Sequence, residues 1–253
     1  MRTPLPWRQA ATPTHAPIIG TALKPGETGY IVIPTESNYE AEGWTKVDNS
    51  QPVGPDGVEA VDLGLPFGTL WANMNVGATS PEGFGSFYAW GETMTKANYE
   101  WDTYEFYEEI NLFETAMTKY SPSVDSKTVL DASDDAATAN WGGKWRMPTY
   151  EEMKEMIDNT SKEWTTINGV TGRKFTALNG NSIFLPATGM NYLGQIQLRN
   201  SGGCYWSSTL YGPSFFYSTD SDAASYLSID NTGAIITYYE RCAGMAVRPV
   251  QKP

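Results

Sequence analysis

Hydrophobic and polar positions along this chain change period several times, and the changes outline its elements. Thr149 followed three residues later by Glu152 is a capping box, and Met153, Met156 and Ile157 give an apolar stripe at helical spacing. This predicts a helix over residues 149–159. Alternating β-branched, aromatic and small residues, bounded by Gly and Pro, predict strands at 202–209 and 244–250. Further strand-like runs lie at 29–34, 44–47, 175–178 and 182–187, with turns at Asn179-Gly180 and at 191–194. Residues 61–72 read as a hairpin turning near Pro66 to Gly68, and the aromatic, Gly-punctuated run 81–92 as irregular and core-forming. Residues 98–120 mix acids with Tyr104, Tyr107, Ile110, Leu112, Phe113 and Met117, which predicts a helical piece, and Asp131 to Ala137 a short helix with acids at its N-terminal end. Strands, a helix or two, then more strands make the class α+β, with mixed or antiparallel sheets. No internal repeat is present.

Residues 1–57 have a different character. The first 20 are rich in Pro and Thr and predict an extended segment, 29–34 and 44–47 make two short strands, and 52–57 has linker composition. Two short strands cannot hold a core of their own. The expected organisation is an N-terminal extended β appendage, 1–57, that mounts a main domain, 58–253, on a larger assembly.

Between the last two framing strands, residues 210–243 hold Tyr211, Phe215, Phe216, Tyr217, Tyr226, Tyr238 and Tyr239 among Ser, Thr, Asp, Asn, Gly and Ala. Lys, Gln, Met and Trp are absent there, and Glu240 is the only Glu. Rigid aromatics dispersed among small hydrogen-bonding residues form the composition of a binding surface. A solvent-facing Tyr/Ser/Thr sheet has the same composition. On the binding reading these aromatics are the anchors, and Ser218, Asp220, Asp222, Ser228, Asp230 and Arg241 supply polar contacts. The tryptophans Trp71, Trp90, Trp141, Trp145 and Trp206 sit beside Gly and Pro and are assigned to the core.

Charge and chemistry narrow the classes. A net charge of −12 argues against nucleic acid, and no apolar run reaches the roughly 20 residues of a membrane span. Residues 1–19 lack a signal-peptide pattern, so either a signal has been removed or the protein leaves the cytoplasm by another route. His15, the only histidine, lies in the Pro-rich segment, which argues against Ser-His-Asp or Cys-His catalysis. One His and two distant Cys are inadequate for zinc. Glu108/Glu109 and Glu151/Glu152 read as solvated helix faces, and Asp131, Asp134 and Asp135 as helix-terminal acids in preference to calcium ligands. The expectation is a non-enzyme with no cofactor and no metal. Antiparallel pairing of the framing strands would bring Cys204 and Cys242 close, and whether they form a disulfide stays open.

Three blocks carry a family resemblance. They are Val61-Asp62-Leu63-Gly64-Leu65-Pro66 through Gly68-Thr69-Leu70-Trp71-Ala72 with Tyr88-Ala89-Trp90-Gly91-Glu92; Asn140-Trp141-Gly142-Gly143-Lys144-Trp145-Arg146-Met147-Pro148-Thr149; and Tyr205-Trp206-Ser207-Ser208-Thr209 through Gly244 to Val247-Arg248-Pro249-Val250. Over residues 58–250 the chain resembles the fibrobacter-type major paralogous domain of gut-bacterial surface proteins and their phages. That domain is related to the C-type-lectin-like fold of formylglycine-generating enzyme and of retroelement-diversified variable proteins. The resemblance implies a C-type-lectin-like fold with a C-terminal variable region, a fixed Trp206 and Arg248, and a diversified composition over 210–243 in which Glu240 is a fixed position. It implies a phage-tail receptor-binding protein that attaches to a host cell-surface protein or glycan, located on the virion tail or at the cell surface, and a homotrimer by analogy. The alternatives are a bacterial surface or pilus-tip adhesin with a fixed ligand, and an enzyme, either a formylglycine-type oxygenase or a carbohydrate hydrolase.

Overall fold

The computed structural model describes residues 54–55, 57–111, 114–211 and 222–252, together with three short strands nearer the N-terminus. The chain divides into two compact units, Met1–Val53 and Gly54–Pro253. The boundary thus falls four residues before the expected one. Gly54 is buried, and a Cβ there would lie 3.3 Å from ring atoms of both Trp141 and Trp145, so Gly54 packs with the second unit.

In the first unit, β1 (Pro6–Gln9) is the central strand, flanked antiparallel by β2 (Gly29–Tyr30) and β3 (Trp44–Lys46). The two strands read from the sequence both pair with a stretch of the Pro-rich segment, expected to be extended rather than packed. Pro6 opens that strand, where a missing N–H is tolerated.

The second unit begins with β4 (Ala60–Asp62) and β5 (Leu70–Ala72), the expected hairpin, closed by a Gly68 N–H bond to Leu65 O. No α-helix forms among the described residues of 98–120. A short 3-10 turn at Trp101–Thr103 leads to a hairpin of β6 (Tyr107–Asn111) and β7 (Glu114–Met117). Tyr104 and Phe106, in the turn leading into β6, and Met117, in β7, are buried in one core. α1 (Ala136–Trp141) follows, N-capped by Asp135, whose carboxylate accepts from both Thr138 N and Met147 N.

The capping box forms as expected at the start of α2 (Tyr150–Asn159). Burying Met153 and Met156 on its inner face contributes about 1.5–3 kcal/mol each. The outer-face expectation fails for Glu152, which is buried and bidentate with Arg146 at 2.6 and 2.7 Å. Burial pulls its pKa up, but the bonds from Arg146, the Thr149 amide and Thr69 more than offset that, and the net shift is downward.

β8 (Thr160–Ile167) and β9 (Val170–Ala177) form a hairpin around Asn168-Gly169, both at positive φ (49° and 83°), the geometry that selects this dipeptide. β10 (Ser182–Pro186) pairs with β9, and β11 (Met190–Tyr192) with β12 (Gln195–Gln197). The sheet that organises the unit is β13 (Gly202–Leu210), β14 (Ala223–Asp230) and β15 (Ala234–Glu240), antiparallel in that order. β16 (Val250–Gln251) closes the chain beside β5. Antiparallel sheets predominate, with two α-helices among the described residues, an architecture consistent with the expected α+β class and equally with a mostly-β one.

Alternation along β13 separates two cores. Cys204 and Trp206 face a larger cluster with Trp90, Tyr99, Tyr104, Tyr120, Trp141, Trp145 and Met245, while Tyr205 faces Trp71, Met153, Met156, Phe175, Leu227 and Ile229. All five tryptophans assigned to the core are buried. The framing runs meet, but parallel: Trp206 N–H bonds Ala246 O and Ala246 N–H bonds Cys204 O. Cys204 and Cys242 are therefore not an opposed antiparallel pair. Both thiols are free and buried, and burial pushes each up to about 12.

Candidate functional site

The face of β14 and β15 that continues the larger core carries the candidate surface. Registration Ala224↔Tyr239, Tyr226↔Thr237 and Ser228↔Ile235 sets these side chains on one side of the sheet. Toward β13 that side is sealed. Toward β15 it opens: Tyr226, Ser228, Thr237 and Tyr239 are half-buried and Ile235 is exposed. Tyr192 of β11 joins from outside the expected stretch.

The rings interlock edge to face. Tyr192 meets Tyr239 at a centroid distance of 5.8 Å, Tyr239 meets Tyr226 at 6.4 Å, and Tyr226 meets Trp206 at 6.0 Å, all near perpendicular. Such pairs contribute about 0.5–1.5 kcal/mol each beyond area burial. The outermost ring is thereby held by a fully buried one. Tyr192 also donates to Glu240 Oε2 at 2.6 Å, and this bond, together with burial, raises the phenol pKa. Burial pushes the Tyr226 hydroxyl up to about 12. All three phenols stay protonated at neutral pH, available as donors and acceptors. Glu240, the composition's single exception, is the residue that orients Tyr192.

Of the sequence-predicted contacts, Tyr226, Ser228 and Tyr239 come together here. Tyr238 points to the opposite face, beside Ile236 and the helix α2 side, where Tyr211 stacks on it at 4.0 Å. The two adjacent tyrosines thus serve different faces. Asp222 is exposed, and its carbonyl accepts from Arg241 N. Asp230 is a turn residue: its carboxylate accepts from Thr232 N, Thr232 Oγ1 and Gly233 N, which lowers its pKa. Phe215, Phe216, Tyr217, Ser218 and Asp220 lie outside the described residues.

Arg241 is not a surface contact. It is fully buried, donating to Tyr104 Oη (2.9 Å), Tyr120 O (3.3 Å) and Lys119 O (3.0 Å), with its guanidinium 4.9 Å from the Trp90 ring centroid. It ties the loop after β7 to the end of β15. Tyr192, Ile235 and Thr237 were missed by sequence reasoning. Strict alternation within 234–240 would have shown the latter two beside Tyr239, whereas nothing local marks Tyr192.

The candidate chemical groups disperse. Asp131 bonds Lys127 at 2.6 Å and shares Lys119 (3.7 Å) with Asp134, which also takes Tyr120, whereas Asp135 caps α1; two of the three carboxylates thus meet on one lysine and the third stands apart. Among the described residues no cluster of His, Cys, Asp or Glu is arranged to hold a metal ion. No described helix is long and apolar enough to cross a membrane.

No family model matches the chain, and no curated protein or solved structure does either.

The three blocks are bonded to one another. Trp90 Nε1 donates to Ser207 O (2.8 Å) and Trp206 Nε1 to Tyr88 O (2.9 Å), joining the first to the third. Ser208 N–H bonds Pro148 O and Arg146 pairs with Val250, joining the second to the third. Arg248, fully buried, donates to Asn75 Oδ1, Ala72 O and Phe184 O, and burial lowers its pKa to about 10. The aromatic face is built on this frame.

Proposed function

We propose that this protein recognises a host cell-surface protein or glycan through the open face of β14 and β15, without catalysis, on a C-type-lectin-like frame. The observation that carries this is the row of half-buried tyrosines, Tyr192, Tyr239 and Tyr226, braced edge to face down to buried Trp206. Aromatics already held in place lose little freedom on binding, so more of their contact energy appears as affinity. Ser228 and Thr237 supply adaptable hydrogen bonds beside them. The frame below is closed and mutually bonded, and a surface residue above it changes at a cost within about 0.5 kcal/mol. That separation suits a surface whose composition over 210–243 has the restricted alphabet of retroelement diversification. A phage-tail receptor-binding protein, mounted through residues 1–57, is the setting that best joins these features.

The test is binding of the full chain to candidate host cells and to glycan arrays, compared with Tyr239→Ala and Tyr226→Ala. Each anchor removed should weaken binding by about 2 kcal/mol, roughly thirtyfold, with an unchanged circular dichroism spectrum. Binding that is indifferent to both changes, or substrate turnover that survives them, sinks the reading. Amplicon sequencing of a natural population tests diversification: variation should be confined to codons within 210–243, with Trp206 and Arg248 constant.

A further inference from the structure

We propose that β15 is the interface of a symmetric homodimer, in which two copies pair antiparallel, edge to edge, about Thr237. β15 is the outer strand of its sheet, with β14 on its inner side only. The bonds Asp230 N to Gly233 O (3.0 Å) and Arg241 N to Asp222 O (2.9 Å) bracket the β14–β15 ladder and set its parity. Ile235, Thr237 and Tyr239 bond inward to β14, so the N–H and C=O of Ile236 and Tyr238 point outward. No described residue bonds to those outward groups.

Natural edge strands are blunted by Lys, Pro, bulges or inward charges. Ala234-Ile235-Ile236-Thr237-Tyr238-Tyr239 contains none of these: no charge, no Pro, no Gly, and no shift of register against β14. Ile235 is 62% exposed and Tyr238 38% exposed. Glu240 at its end is the only charge on β15, so in a chain of net charge −12 two copies can approach along 234–239 with little added local repulsion.

The strand also reads onto itself. With Thr237 on the two-fold axis, Ile236 faces Tyr238 of the second copy as a hydrogen-bonded pair, and Ile235 faces Tyr239 as a non-hydrogen-bonded pair. The axis repeats both. These are β-branched–aromatic cross-strand pairs, among the favourable classes, and an isologous contact requires this kind of self-complementarity. The dimer would be a continuous six-stranded sheet with both tyrosine faces on one side. Its existence does not depend on the recognition reading.

Sedimentation velocity and light scattering of the full chain, up to the high micromolar range, should give twice the 27.9 kDa chain mass. Thr237→Lys sets like charges opposite each other at the axis and should return the mass to that of one chain, with an unchanged far-UV spectrum. Thr237→Cys should crosslink to a covalent dimer under mild oxidation, because a non-hydrogen-bonded antiparallel pair brings Cα atoms within disulfide reach. Ile235→Cys, opposite Tyr239 instead of itself, should not crosslink. A wild-type monomer or trimer mass overturns the proposal. So does a dimer that persists in Thr237→Lys, or one that leaves Thr237→Cys uncrosslinked.

Discussion

Replacing Arg241 by methionine keeps most of the apolar stem and removes the guanidinium from its buried seat. Among the described residues, Tyr104 Oη, Tyr120 O and Lys119 O then each lose a donor. At about 1 kcal/mol for each bond lost in a buried setting, the cost is about 3 kcal/mol. Arg241→Ala also deletes the stem over Trp90 and adds about 2 kcal/mol more for the space left behind. In a unit of this size, 1 kcal/mol shifts the melting temperature by roughly 2–4 °C, so Arg241→Met should melt about 6–12 °C lower. Urea unfolding followed by tryptophan fluorescence reads the same loss, since Trp90 lies against the site. The pattern is diagnostic: stability falls in the order wild type, Met, Ala, while ligand affinity of the folded fraction is unchanged. If both variants unfold within about 1 kcal/mol of wild type and instead lose binding, Arg241 is a ligand contact and the burial argument fails.

Two carboxylates one helical turn apart should respond in opposite directions. Glu152 has a lowered pKa, so its stabilisation is present above the unfolded carboxylate pKa and disappears as pH falls through the folded value. Glu152→Gln should cost about 1–2 kcal/mol at neutral pH by leaving half-buried Arg146 poorly paired, and little in acid. Glu155, 7% exposed and accepting from Phe67 N, has its pKa raised by burial, so its charged form costs stability at neutral pH and protonation relieves that. Glu155→Gln should stabilise at neutral pH and become neutral in acid; urea titrations at both pH values that show one common sign refute the assignment. Gly172→Ala would place a Cβ 2.3 Å from Leu185 O and 2.7 Å from Pro186 Cα, forcing β9 from β10 at about 1–3 kcal/mol, whereas Gly233→Ala meets nothing within 4 Å and should change little; equal melting temperatures would contradict this. Cys204 and Cys242 should resist a thiol reagent in the native protein and react together on unfolding, and fast native labelling of either would show that the core opens there.

What the chain alone determined is what short-range physics controls. The capping box from Thr149 to Glu152 satisfies its donors within one turn, so it forms as read. Tryptophans carry a large apolar area to remove from water, and all five assigned to the core are buried. Asn168-Gly169 carried an equally local hairpin signal, because only such a dipeptide accepts two successive positive φ values at low cost. A chain of antiparallel sheets with a helix or two followed from the order of those signals.

Only the tertiary structure decided the rest, because the deciding partners lie far away in sequence. Residues 98–120 became a hairpin since Tyr104 and Met117 are buried by packing against distant elements, and their own spacing does not select a period. Tyr238 and Tyr239 are chemically alike neighbours, yet pairing with β14 sends one toward α2 and the other to Tyr192. Arg241 sits in a stretch of surface composition, and no local rule buries a guanidinium there. Its acceptors are Tyr104, Lys119 and Tyr120, more than a hundred residues upstream, and the low cost of burying that charge exists only once they are assembled around it.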